Sequence, residues 1–303
     1  MEKYILIITS SVDKTSDYLI TNYPNNNYFR INTDLFDTYI FDINDINWCV
    51  FNKETNERVF SENIQSIYFR KPIFPEVLDY EEKYRELIKR DIYTVLCGLA
   101  DEFKGKVLSR PYLLHKADNK VSQILVARKF GFDIPKSYIG NSDFKCKEFS
   151  NITSVIKPLS LAVVGKDKYC EVYQTNIFKY ENEEISMTPI YLQEYVSKQF
   201  EVRLTIIKNN FFAIRIDTKN QIDWRKDYEN HHYSIIECPE EIRKKCSKLL
   251  EYYNLEFGAF DFIVDKNNNW IFLEMNSNGQ WLWLERRLNL QISKKIIDLL
   301  GGK

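Results

Sequence analysis

Two apolar runs constrain this chain most: Phe260-Asp261-Phe262-Ile263-Val264 and Trp270-Ile271-Phe272-Leu273-Glu274-Met275-Asn276, with Asn267-Asn268-Asn269 between them. The asparagines are turn chemistry, so the runs read as a β-hairpin that sets Asp261 beside Glu274. Glu274 and Asn276 stand at i and i+2 and leave the same face of their strand. The apolar flanks put the acids in a partly buried setting, where unpaired charge is costly. A solvated hairpin with an exposed acid pair is the alternative. Converging oxygen ligands with no His or Cys nearby suit Mg²⁺ rather than zinc, and Mg²⁺ held by a few protein oxygens usually takes nucleotide phosphates as its other ligands.

The 303 residues, 44% of them hydrophobic, suffice for two or three packed units. A formal charge of −1 argues against a nucleic-acid partner. The six cysteines (49, 97, 146, 170, 238 and 246) form no CxxC pair, which points to reduced thiols and a cytoplasmic location. The N-terminal apolar run is too short for a signal peptide, and no stretch is long enough to cross a membrane, so no membrane partner is expected. With 20 Tyr, 20 Phe and 5 Trp, some rings are expected to line a surface that grips something extended, unless they only fill a bulky core.

Periodicity predicts strands over 4–9, 28–31, 39–43, 48–51 and 66–69, a helix from Asp13 and a long amphipathic helix over 80–103. Residues 104–114 read as a connector with an extended step at Arg110-Pro111, and the first domain boundary is placed there. A helix over 115–130 ends at Gly131. Strands follow at 137–139 and 154–156, then a polar irregular stretch over 165–189 with strand content near 169–174. Further strands are predicted over 190–195, 200–207 and 211–217, with helices over 240–253 and 292–300 on either side of the hairpin.

Three cations precede the acids: Lys120 in Lys116-Ala117-Asp118-Asn119-Lys120, Lys157 in Val155-Ile156-Lys157-Pro158, and Arg203 in Phe200-Glu201-Val202-Arg203-Leu204. A lysine at the inner end of a strand, pinned by proline, costs burial energy unless an anion meets it. A triphosphate is such an anion. The strand Ile190-Tyr191-Leu192-Gln193-Glu194-Tyr195-Val196 leaves through a Gln-Glu pair, where backbone N–H and C=O groups can meet a flat heterocycle.

Over residues 112–300 these features resemble the ATP-grasp superfamily. The resemblance implies an α/β (α+β) architecture: an N-terminal α/β pre-ATP-grasp domain over 1–111, a central subdomain over 112–190 and an antiparallel-sheet catalytic subdomain over 191–303. It implies ATP and Mg²⁺ as cofactors. Lys120 and Lys157 would hold the phosphates, Gln193, Glu194, Tyr195 and Val196 the adenine, Glu201 the ribose, and Asp261, Glu274 and Asn276 the metal. The sequence departs from the family in the loop after Lys157, where Gly165 is the single glycine in 159–169.

A narrower resemblance rests on Tyr68-Phe69-Arg70-Lys71-Pro72, Ile214-Arg215-Ile216-Asp217, Asp223-Trp224-Arg225 and Leu273-Glu274-Met275-Asn276-Ser277-Asn278-Gly279-Gln280-Trp281. Together they are similar to the graspetide ligases, which join Asp or Glu side chains of a ribosomal precursor peptide to Ser/Thr hydroxyls or Lys amines. The implied partner is a precursor with a leader and an acidic core, bound by a homodimer, with the leader in a groove around 165–200. Arg215 is expected to project toward the reacting centre, hold the acceptor carboxylate and act with Lys157 and Arg203 in catalysis. Asp217, Asp223, Trp224 and Arg225 are expected to bind peptide, and Asp217 and His231 are candidates for the general base. The competing readings are a small-molecule carboxylate–amine ligase and a nucleotide-binding scaffold without turnover.

Overall fold

The computed structural model describes residues 2–160, 163–164, 171–172, 175–180, 187–219 and 231–303. The chain gathers into two compact units. One holds Met1–His115, Leu255–Phe257 and Asn278–Lys303, and the other Lys116–Asn254 and Gly258–Ser277.

In the first unit β1 (Tyr4–Thr9) is buried from Ile5 onward, because its Ile-Leu-Ile-Ile run supplies apolar side chains to both faces, as a central parallel strand requires. It is followed by α1 (Lys14–Asn22), the helix expected from Asp13, whose N-cap Asp13 accepts the Thr15 N–H. Then come β2 (Asn27–Asn32), β3 (Tyr39–Ile43), β4 (Trp48–Asn52), β5 (Arg58–Phe60) and β6 (Ile64–Phe69), the long helix α2 (Glu82–Glu102), β7 (Lys106–Leu108) and α3 (Pro111–Ala117). The main sheet is parallel in the order β2-β1-β6-β7, and β3, β4 and β5 form a small antiparallel sheet. Residues 104–114 are therefore not a plain connector. A strand of only three residues carries no legible period, and Pro111 opens a helix, where its missing N–H is no loss.

The second unit starts with α4 (Lys120–Lys129). The single helix expected over 115–130 is two, broken at Asp118-Asn119 because the Asn119 side chain caps the Ser122 N–H. Gly131 ends α4 at φ +76°, a value that favours glycine. There follow β8 (Ser137–Gly140), α5 (Asp143–Ser150), β9 (Ser154–Lys157), β10 (Val163–Val164), β11 (Glu171–Val172), β12 (Asn176–Ile177) and β13 (Ile190–Glu194). Next are β14 (Phe200–Ile207), β15 (Asn210–Asp217), β16 (His232–Ile236), α6 (Glu240–Tyr252), β17 (Phe257–Val264) and β18 (Trp270–Asn276). One sheet runs β12-β9-β13-β8, and a second runs β16-β15-β14-β17-β18. The chain closes with α7 (Leu282–Leu288) and α8 (Ile292–Leu299) in the first unit. Helices α5 and α7 went unforeseen; each is barely two turns long.

The core of the second unit explains where its acids point. Phe260 and Phe262 on β17 are fully buried, and the Phe132 ring packs against Phe272 at a tilt, centroids 4.9 Å apart. Alternation along β17 sends those rings to one face and Asp261, between them, to the other.

Candidate active site

The hairpin forms as predicted and Asp261 stands directly opposite Glu274, just beyond a one-residue register shift between Asp261 and Phe262. Both carboxylates are partly buried, and each faces a cation. Lys120 Nζ lies 3.5 Å from Glu274, and Arg203 Nη1 donates to both Asp261 oxygens at 2.9 and 2.7 Å. Asn276 Nδ2 donates to Asp261 Oδ2 at 3.1 Å, which leaves Oδ1 as the amide's acceptor atom. Asp261, Glu274, Asn276, Lys120 and Arg203 thus come together on one face of the hairpin. The burial penalty of each acid is offset by an opposite charge.

The start of α4 holds this hairpin through residues the sequence reading passed over. The Gln123 side chain, 4% exposed, pairs with the backbone of β18 as another strand would. It accepts the Met275 N–H at 2.8 Å and donates to Met275 O and to Ala117 O, each at 2.7 Å. Because β18 is an edge strand, its outer backbone groups need such a partner. Asp118 accepts the Ser277 N–H and the Ser277 hydroxyl at 3.2 and 2.7 Å. Asp118, Lys120 and Gln123 therefore grip residues 277, 274 and 275. The legible signal was a polar residue, Gln123, on the buried side of a helix.

Lys157 ends β9 as expected, and its Nζ donates to Gln193 Oε1 at 2.6 Å. Lys120 Nζ also donates to Pro158 O at 2.8 Å, so the residue after Lys157 meets the other phosphate-binding candidate. Burial, with a smaller push from the Glu274 charge, raises the Tyr191 phenol to about 12 and keeps it neutral. Glu201 and Lys198 form a buried ion pair. The Glu194 N–H donates to Lys136 O at 2.8 Å and the Tyr195 N–H to Thr153 O at 2.9 Å, so those two donors of the exit strand are engaged within the fold. Val196 beyond them is partly buried.

Arg215 does not join the acid cluster. Val202 pairs with Arg215 and Arg203 with Ile214, and directly opposed residues share a face. Arg203 and Arg215 therefore leave opposite faces of the β14–β15 pair, contrary to the expectation that Arg215 projects toward the same centre. Its guanidinium lies 4.0 Å over the Phe200 ring and forms a forked pair with Asp217, Nη2 to Oδ1 at 2.7 Å and Nε to Oδ2 at 2.9 Å. The hydrogen bonds that Arg215 donates to Asp217 hold the guanidinium pKa further above its ordinary value. Of the base candidates, Asp217 is thus held by Arg215, and His231 Nδ1 lies 2.9 Å from the Tyr233 hydroxyl. Asp223, Trp224, Arg225, Gly165 and, within the expected leader groove, residues 165–170, 173–174 and 181–186 lie outside the described residues.

The donor set fits a hard divalent cation: two carboxylates and an amide oxygen, with phosphate-compatible cations alongside. Among the described residues no three His, Cys, Asp or Glu side chains cluster as metal ligands, so the set reaches three donors through the Asn276 amide. No described helix is long and apolar enough to cross a membrane.

Paired cations and acids on a sheet face of this topology define an ATP-grasp ligase. A RimK-like ATP-grasp domain matches residues 117–300, and the chain belongs to that family. No curated protein matches the chain. Among solved structures, a Chryseobacterium gregarium RiPP-associated ATP-grasp ligase, in complex with ADP and a leader and core peptide, is 25% identical, with a TM-score of 0.86 over 99% of this chain and 96% of that one. Macrocyclase MdnC from Microcystis aeruginosa MRC, bound with precursor peptide MdnA, is 24% identical, with a TM-score of 0.88 over 98% and 99%. The ligase PsnB, complexed with a phosphomimetic variant of its minimal precursor, Mg and ADP, is 16% identical, with a TM-score of 0.78 over 99% and 98%. The α/β architecture expected from the sequence is the one observed.

Proposed function

We propose that this chain is an ATP-dependent macrocyclase. It activates Asp or Glu side chains of a ribosomal precursor peptide as acyl phosphates and joins them to Ser/Thr hydroxyls, or to Lys amines. The observation that carries this reading is the cluster of Asp261, Glu274 and Asn276 with Lys120 and Arg203, inside a RimK-like ATP-grasp domain. The near full-length likeness to ligases crystallised with a leader and core peptide or with a precursor peptide supports a peptide as the acceptor.

A carboxylate is a poor electrophile at neutral pH. Transfer of the ATP γ-phosphoryl group gives it a leaving group, and the hydroxyl or amine then displaces phosphate. When bound, Mg²⁺ would neutralise phosphate charge and orient the transferred group. Asp261, Glu274 and the Asn276 amide oxygen would hold it. Lys120 and Lys157 would grip phosphate oxygens, each reaching from a fixed backbone position at a helix start and a strand end. Arg203 would stand where charge develops, and one well-aimed donor there contributes roughly 3–4 kcal/mol. The carbonyls of the exit strand and the backbone from Val196 onward would read adenine, since the Glu194 and Tyr195 N–H groups are engaged elsewhere. Glu201 would take the ribose. Arg215, stacked on Phe200 and forked to Asp217, suits a contact to an acidic peptide away from the reacting carbon, together with Asp223, Trp224 and Arg225. In this division of labour, residues 1–111 form the pre-ATP-grasp domain, 112–190 the central subdomain and 191–303 the catalytic subdomain.

The test is incubation of the full chain with ATP, MgCl₂ and the short acidic peptide encoded nearest its gene. The expected result is ATP-dependent loss of one water per ring by mass spectrometry, faster with the leader present. ADP release with free amino acids and none with any peptide would instead assign a small-molecule ligase. No ADP release with either would leave a scaffold.

A further inference from the structure

The side chain of Gln193 is built into the fold in a way that adenine recognition through backbone does not call for. It is 2% exposed. On β13 it stands opposite Ser137 of β8, and two residues earlier Tyr191 stands opposite Lys157 of β9. Paired residues share a face, so Ser137, Gln193, Tyr191 and Lys157 all project from the same side of this sheet. The amide is oriented by a relay that runs in one direction. The Ser137 hydroxyl donates to Pro135 O at 2.9 Å, so it meets Gln193 through a lone pair and accepts from Gln193 Nε2 at 3.1 Å. Gln193 Nε2 also donates to the Tyr191 hydroxyl oxygen at 2.9 Å. With both N–H groups committed there, Oε1 can point only at Lys157 Nζ, 2.6 Å away. The Lys157 ammonium also lies 5.9 Å over the Tyr191 ring.

We propose that the Gln193 side chain is a positioning residue for Lys157, fixing its ammonium for a nucleotide phosphate through a neutral acceptor, and that it does not contact the base. The proposal rests on the ATP-grasp reading above. The physical point is the choice of an amide. A carbonyl oxygen orients an ammonium by one hydrogen bond and adds no negative charge next to an incoming phosphate. A carboxylate in the same place would pair with the lysine more strongly and repel the ligand. Oriented side chains that lose their support loosen by fractions of an ångström, enough to cost binding without breaking the fold.

The test compares Gln193→Met and Gln193→Glu with the wild-type full chain, measuring dissociation constants for ATP and for adenosine by competition against a fluorescent ATP analogue, with thermal unfolding as a check on folding. Expected are a roughly tenfold loss of ATP affinity in Gln193→Met, about 1.4 kcal/mol, a larger loss in Gln193→Glu, and unchanged adenosine affinity in both. In a Lys157→Met background, Gln193→Met should add nothing. Adenosine affinity that falls in step with ATP affinity would overturn the proposal and assign Gln193 to the base, as would losses that add in full on the Lys157→Met background. Should Gln193→Glu fail to fold, Gln193→Met and the double variant decide alone. A wild-type chain that binds neither ATP nor its analogue would instead overturn the ATP-grasp reading, and this inference with it.

Discussion

Replacing Gln123 by Leu removes an interaction that no sequence motif advertises and that the geometry makes expensive. Leucine fills much the same volume, so no cavity term enters. What is lost are the partners of three backbone groups: the Met275 N–H, Met275 C=O and Ala117 C=O. Met275 and Ala117 are 2% and 0% exposed, so water cannot replace the amide without local opening. An orphaned buried polar group costs about 1–3 kcal/mol, with the N–H at the upper end because it has a single direction in which to bond. Carbonyls retain a second lone pair and cost less. The sum comes to about 3–5 kcal/mol, a large part of the stability of an ordinary domain. Urea denaturation followed by circular dichroism should show an earlier midpoint with an unchanged slope. The Mg²⁺ concentration needed for half-maximal activity should also rise, because Met275 lies between Glu274 and Asn276 and all three move with the strand. A stability change under about 0.5 kcal/mol would refute the reasoning, since it would mean that the edge of β18 does not depend on this amide.

Glu274→Gln should abolish ATP-dependent product formation while leaving the unfolding free energy within about 1 kcal/mol of the wild type, because the site is partly exposed and the change is nearly isosteric; turnover at the wild-type rate would remove Glu274 from the metal site. Burial pushes the Asp13 carboxyl up, but Arg70, the Ser16 and Thr9 hydroxyls and the Thr15 N–H together hold it below its ordinary value. Its contribution to stability is therefore complete above the unfolded-state pKa of about 3.9 and is lost as the pH falls through the lower folded value. Asp13→Asn should flatten the acid side of a plot of urea midpoint against pH, and an unchanged acid slope would contradict this. Burial raises the Cys238 thiol to about 11 and Cys246 well above its ordinary value. Both should resist iodoacetamide at neutral pH in the native protein, as peptide mapping before and after denaturation would reveal.

Local patterns recovered much of the fold because its informative segments are long and periodic. The hairpin is legible from its Asn-rich turn between two apolar runs, but its bulge is not: the turn's register, Phe262 opposite Phe272, would bring Asp261 to Leu273, and the shift between Asp261 and Phe262 brings it to Glu274. Lys120 and Lys157 were legible as lysines, but what holds them was not. Gln193 and Gln123 act through side-chain amides on partners 36 and 152 residues away, and nothing local marks such a pairing. Arg215 shows the opposite limit. Its strand over 211–217 is legible, but which face Arg215 leaves depends on the register between β14 and β15, and a shift of one residue reverses the answer. Strand β7 and helices α5 and α7 were too short for period to outweigh composition.

The pairing of Glu274 with Lys120 and of Asp261 with Arg203 has a thermodynamic consequence for ligand order. Lys120 and Arg203, two of the cations that would meet the phosphates, are already neutralised by acids that would hold the metal. If ATP arrives alone, Lys120 and Arg203 must leave their carboxylates in a partly buried setting with no compensation, which is costly. If ATP arrives with Mg²⁺, the exchange is balanced: the acids turn to the metal and the cations to the phosphates. ATP should therefore bind the wild-type chain at least tenfold more tightly in MgCl₂ than in EDTA, a coupling of about 1.4 kcal/mol or more, and by reciprocity Mg²⁺ should bind more tightly by the same factor when ATP is present. Glu274→Gln separates this from a simple preference for the chelated nucleotide. Deleting that charge releases Lys120 to a phosphate without penalty, so metal-free ATP should bind the variant more tightly than it binds the wild type, while Mg²⁺–ATP binds less tightly. Isothermal titration in the two buffers measures both terms. Metal-free ATP that binds Glu274→Gln no better than wild type would mean that the Lys120–Glu274 pair does not compete with phosphate, and the account of the site as an exchange of partners would fail.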